Sequence, residues 1–125
     1  MHCLAFPVLR LVERMVMIGR IWHGWAAKED ADAYETMLNA DVLPGPDQIP
    51  GYRGAYVMRR EVGDEVEFVT VTFFDDIAAV KQFAGEDYTK PIVQGLAQRL
   101  LRRADARATH YEIVMTPKET GKKPK

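Results

Sequence analysis

The sequence predicts an α+β fold of the ferredoxin-like type, two strand–helix–strand halves (βαββαβ) with an antiparallel sheet. Three observations carry this. Residues 17–26 hold both tryptophans in a run too apolar and too short for a surface helix, which reads as a central strand. Residues 52–61 and 65–74 are rich in Val, Thr and aromatics and are joined by Val62-Gly-Asp64, the signature of an antiparallel hairpin. Helical stripes follow the first strand and the hairpin, and a last strand closes the domain. In this topology the first strand lies inside the sheet, between the third and the last.

Each element has its own signal. Residues 1–16 are expected to be an extension or an early start, with Met15 or Met17 as the alternative first residue. Pro7, Arg10, Glu13 and Arg14 interrupt the apolar run that a signal peptide would need. On the first strand Trp22 and Trp25 fall on opposite faces, because strand side chains alternate. Residues 27–42 form a helix whose stripe is Tyr34, Met37, Leu38 and Val42, with Glu29 and Asp30 in its first turn and no capping side chain at its start. Leu43-Pro-Gly-Pro46 ends it, and a loop over 47–51 follows.

After the hairpin, Asp75-Asp76 caps a short helix striped by Ile77, Val80 and Phe83, and Gly85 stops it. Pro91 opens a further helix with Val93, Leu96, Ala97, Leu100 and Leu101 inward and Arg99, Arg102 and Arg103 near its C-terminal end. The last strand is expected over 106–115. Residues 116–125 are polar and basic and are expected to form a disordered tail, so that the domain spans 17–115.

The totals exclude several classes of function. The 125 residues are 47% hydrophobic and 28% charged, enough for one core. A net charge of −1 gives no basic field for nucleic acid. No apolar run reaches the roughly 20 residues of a membrane span. The single cysteine, Cys3, rules out a disulfide framework within one chain and agrees with a cytoplasmic location. The absence of serine closes serine-nucleophile mechanisms, and no glycine-rich phosphate loop follows a strand.

Both faces of the third strand are apolar. One carries Val69, Val71 and Phe73, and the other Phe68, Thr70, Thr72 and Phe74. Helices cover only one side of such a sheet, so a homodimer with the two sheets packed together is expected.

Two histidines remain for chemistry. A register pairing His23 with His110 would set both on one face beside Trp25, where an imidazole can exchange protons near neutral pH. The same histidines would serve equally as hydrogen-bonded groups of a sheet or interface. Glu112 shares the face of His110, so a two-histidine, one-carboxylate set is conceivable, but the spacing is generic and no metal is assigned. Trp22, Trp25, Tyr56, Phe73 and Tyr88 are the candidates to line an aromatic-substrate pocket between sheet and helices. Aromatics on strands serve as plain core as well. The connection 85–90 is positioned to flank a pocket mouth, and Arg59-Arg60-Glu61 to charge a sheet edge.

Four segments in order resemble the antibiotic biosynthesis monooxygenase domain family of the dimeric α+β barrel superfamily. They are Ile21-Trp-His-Gly-Trp25, Ile49-Pro-Gly-Tyr-Arg-Gly54, Glu67-Phe-Val-Thr-Val-Thr-Phe-Phe-Asp75 and Thr109-His-Tyr-Glu-Ile113. The likeness spans residues 17–114. It implies a ferredoxin-like protomer, a homodimer through the sheets and a pocket between sheet and helices. It also implies oxygenation of aromatic compounds without metal or prosthetic group, with haem degradation in some relatives. The asparagine on which both activities depend has no strand counterpart here: the only one, Asn39, lies on the first helix. The expectation is therefore a cofactor-independent monooxygenase-like protein acting on an aromatic or quinone-type molecule, with His23 or His110 as base. The alternative is a non-catalytic dimeric module binding an apolar ligand or a partner.

Overall fold

The structure is a computed structural model, and it describes residues 16–42, 49–92 and 95–117. Residues 1–15 of the expected extension, the Leu43-Pro-Gly-Pro46 stop, Asp47 and Gln48 of the loop, Val93 of the expected helix stripe and residues 118–125 of the tail lie outside the described residues. The elements run β1 (Ile18–Ala27), α1 (Lys28–Met37) with a π-helical turn at Leu38–Val42, β2 (Tyr52–Val62), β3 (Glu65–Phe74), α2 (Ile77–Ala84), α3 (Gly95–Leu100), β4 (Leu101–Ala104) and β5 (Thr109–Glu112). The sheet order is β2-β3-β1-β4, with β5 pairing β1 beyond β4 on the same edge. All pairings are antiparallel, and β1 is interior as the sequence requires.

Local chemistry explains most of this. The Asp76 side chain accepts a hydrogen bond from the Ala79 N–H at 2.9 Å and so caps α2. Helix α1 has Ala27 at its N-cap position and so no side-chain cap. Gly51 adopts φ +85°, and a Cβ there would lie 2.7 Å from that of Ala79, so the Pro50-Gly51 corner accepts only glycine. Its carbonyl accepts from Asp75 N at 2.8 Å, which ties the corner to the start of α2.

Two elements differ from expectation. The helix expected to open at Pro91 lies over Gly95–Leu100: Pro91 and Ile92 are not helical, and at Leu101 the chain passes directly into β4 rather than staying helical through Arg103. Leu101 pairs with Ala26, and Arg103 pairs with Trp25 and lies 4.1 Å over its ring. Strand pairing with β1 outweighs the helical spacing of Leu96, Leu100 and Leu101. Leu96 is half exposed as a result. The last strand, expected over 106–115, is confined to Thr109–Glu112, so the closing edge consists of two short pieces, β4 and β5, separated by residues 105–108.

Register fixes what each face carries. Ile18, Arg20, Trp22, Gly24 and Ala26 of β1 stand opposite Phe74, Thr72, Thr70, Phe68 and Val66 of β3, on the helix-covered face. The core there forms two clusters. Tyr34, Met37, Leu38, Ala97 and Phe68 make one, with the Tyr34 and Phe68 rings edge-on at 4.9 Å. Ile18, Tyr52, Phe74 and Val80 make the other, with Phe83 packed against it. Between them the sheet presents Arg20, Trp22, Thr70 and Thr72 instead of aliphatic side chains, so the core divides at this row.

Among the described residues no helix covers the opposite face. Ile21, Val69, Val71 and Phe73 lie there half-buried, and Tyr56, Met58 and Tyr111 are 68%, 52% and 56% exposed. Among the described residues no helix is long and apolar enough to cross a membrane.

Candidate functional site

A cleft opens where the two core clusters part. Its floor is Arg20, Trp22, Thr70 and Thr72. Its walls are Tyr34, Met37 and Leu38 of the first helical segment, Ala97 of α3, Phe83 of α2, and Pro91 with Ile92. The cleft is open to solvent on one side, and the space free of protein atoms within it and its mouth is about 550 Å³. A ring-sized ligand would occupy the cleft together with its mouth.

Arg20 dominates the floor. It is only 5% exposed. Its Nη1 donates to the Tyr88 carbonyl and faces His110 Nε2 at 3.2 Å, while Nη2 donates to the Lys90 carbonyl at 3.2 Å. Its guanidinium carbon lies 5.5 Å from the centre of the Phe83 ring. Burial draws the guanidinium below its ordinary pKa. The Tyr34 hydroxyl is pushed up to about 12 by burial, so it stays a neutral hydroxyl rather than an acid–base group near pH 7.

A guanidinium has no acceptor atom, so His110 Nε2 must accept from Arg20, which places the ring proton on Nδ1. Burial first, and the Arg20 charge second, hold this imidazole below its usual pKa. The Tyr88 ring meets it edge-on at 5.0 Å. A histidine depressed in the folded state is protonated first in the unfolded chain. Its contribution to stability is therefore complete above pH 6.5, the unperturbed value, and is lost as the pH falls through the lowered folded value. Urea unfolding is expected to show stability declining from pH 7 to about 5, with a shallower decline for His110→Gln. Equal slopes for the two proteins would remove this term.

The register separates residues that the sequence reading had put together. His110 pairs with Arg20, not with His23, and these are positions of the covered face. His23 pairs with Val69 on the open face. The expected 23–110 pairing is therefore corrected by a shift of three residues along β1, and an odd shift reverses the face. His23, His110 and Glu112 consequently do not converge. Of the five aromatic candidates, Trp22 lines the cleft. Tyr88 stands beside it through its carbonyl on Arg20 and its ring on His110. Trp25, Tyr56 and Phe73 belong to the open face, where the Tyr56 and Phe73 rings meet edge-on at 5.9 Å.

Asp105 was not anticipated. Its carboxylate takes the His23 backbone N–H at 3.0 Å and the His23 Nδ1 at 2.6 Å. Its carbonyl accepts from Trp22 Nε1 at 2.8 Å, and its own N–H donates to the His23 carbonyl. The break between β4 and β5 thus fixes one residue on each face of β1. Arg20 and Phe83 were also missed as site residues. Arg20 carried a signal, a charged residue two positions before Trp22 on the strand face that otherwise reads Ile18, Trp22, Gly24 and Ala26.

Helices on one face of a five-stranded antiparallel sheet define the ferredoxin-like α+β class. Among solved structures, the chain is similar to a Bacillus cereus protein provisionally named an antibiotic biosynthesis monooxygenase. The TM-score is 0.54 and the identity 12%, over 81% of this chain and 96% of that one. It is similar also to a conserved protein from Methanosarcina mazei Go1, with a TM-score of 0.59 and 14% identity over 81% and 96% of the two chains. These likenesses show a shared fold. No protein-family model matches the chain, and no curated protein matches it in sequence.

Proposed function

We propose that this protein is a cofactor-independent monooxygenase-like enzyme that holds an aromatic or quinone-type molecule in the cleft between sheet and helices. The observation that carries this reading is the cleft itself: apolar and aromatic walls around a floor that places Arg20, Thr70 and Thr72 beside Trp22, in a fold shared with a protein provisionally named a monooxygenase. A hydroquinone suits it. With molecular oxygen as oxidant, one oxygen atom enters the ring as a hydroxyl, and the other leaves as water. The ring supplies all the electrons as it becomes a hydroxyquinone. His110 is the base in this reading. It is neutral, and it takes the phenolic proton on Nε2 when Arg20 turns from that atom to the new oxyanion. His23 lies on the other face and takes no part.

The test is oxygen uptake, above the spontaneous rate, on a panel of hydroquinones. Wild type and His23→Ala are expected to turn over alike. His110→Ala is expected to fall by about 10²–10⁴-fold, the usual worth of a general base. Unchanged turnover in His110→Ala would remove its role. No turnover on the whole panel would leave the second reading, a non-catalytic binding module. That reading is favoured by one observation: neither histidine is among the residues lining the cleft.

The same reading includes a homodimer formed through the open sheet face. Ile21, Val69, Val71, Phe73, Tyr56 and Met58 make an apolar surface that no element of the chain covers among the described residues. A symmetric copy supplies a matching sheet.

A further inference from the structure

We infer that the cleft selects ligands carrying an ionised oxygen, a phenolate, enolate or carboxylate, and that Arg20 is the residue that binds it. The inference rests on the reading of the cleft as the substrate site and adds the charge of the substrate class.

The contrast among arginines carries it. The exposed Arg53, Arg59, Arg60, Arg102, Arg103 and Arg107 each pair with a carboxylate. Arg20, which is buried, faces none among the described residues. Its acceptors are all neutral: two backbone carbonyls and an imidazole nitrogen. A buried cation without a counter-charge is costly, and surface arginines need no such pairing. The burial of Arg20 is therefore the reverse of what stability alone would select.

The donors fit the assignment. A guanidinium has five N–H groups. The bonds to Tyr88, His110 and Lys90 use three, and the residue lines the cleft. A planar fork of this kind suits a charged oxygen or a carboxylate pair. Apolar walls around it lower the local polarity and so strengthen the pairing. Thr70 and Thr72 add hydroxyl-bearing side chains on the same floor, beside Trp22. The hydroxyquinone formed in the proposed reaction is itself an acid ionised near neutral pH, so the inferred ligand class includes that product.

The test is calorimetric titration of the full chain at pH 7 with two probes. One is 2-hydroxy-1,4-naphthoquinone, which is anionic there. The other is its methyl ether, of nearly equal size and uncharged. Wild type is expected to bind the acid about tenfold or more tightly than the ether, as a charge-assisted hydrogen bond implies. Arg20→Met is expected to bring that ratio to about one by removing the charge-assisted bond while leaving the apolar contacts. Equal binding of the two probes by wild type would overturn the inference and leave the cleft as a site for neutral rings. A ratio unchanged in Arg20→Met would overturn it too. Binding of neither probe would overturn the reading of the cleft along with it. The wild-type comparison decides the matter even if the variant does not fold.

Discussion

Phe68→Ala is expected to lower the unfolding free energy by about 3–5 kcal/mol, the range for a large aromatic removed from a core. Phe68 is 1% exposed at the centre of the covered face, edge-on to Tyr34 and beneath the Arg59 guanidinium. Its ring fills the space between sheet and α1, and a neighbouring cleft wall, Tyr34, rests on it. Little can collapse into the vacancy, because Val66, Ala26 and Ala31 around it are short and fully packed. For a domain whose whole stability is of order 5–15 kcal/mol, this loss leaves a marginal protein. Urea denaturation at one fixed protein concentration measures it, since self-association would add to apparent stability. A loss below about 1 kcal/mol would mean the cluster is loosely packed.

Val71→Asp is expected to convert a dimer into a monomer. Val71 stands between Ile21 and Tyr56 on the open face, with no helix above it among the described residues. In a single chain the carboxylate would remain hydrated, so the fold would persist. Between two sheets it would be a buried charge without a partner. Light scattering is expected to give twice the 14.2 kDa chain mass for wild type and the single mass for the variant, with an unchanged circular dichroism spectrum. A wild-type mass of one chain, or a variant that stays double, would sink the sheet-to-sheet pairing.

The fold was largely legible because its signals are local. The Val62-Gly-Asp64 connection, the Asp76 cap and the β-branched run of β3 each act within a few residues. The row where the core divides was also in the string, as Phe68-x-Thr70-x-Thr72-x-Phe74: polar side chains between two aromatics on one strand face. The helical reading of 101–103 failed because Leu101, Arg102 and Arg103 satisfy helical spacing on their own. Only the nearness of β1 turns them into a strand.

Alternation along each strand determined, from sequence alone, which residues could share a face, and with it the apolar character of both sides of the sheet. The relative shift of strands distant in sequence was decided by the tertiary structure, because backbone ladders form in any register and only packed side chains select one. That selection put His110 against Arg20, sent His23 to the other side, and left a buried guanidinium at the floor of the cleft.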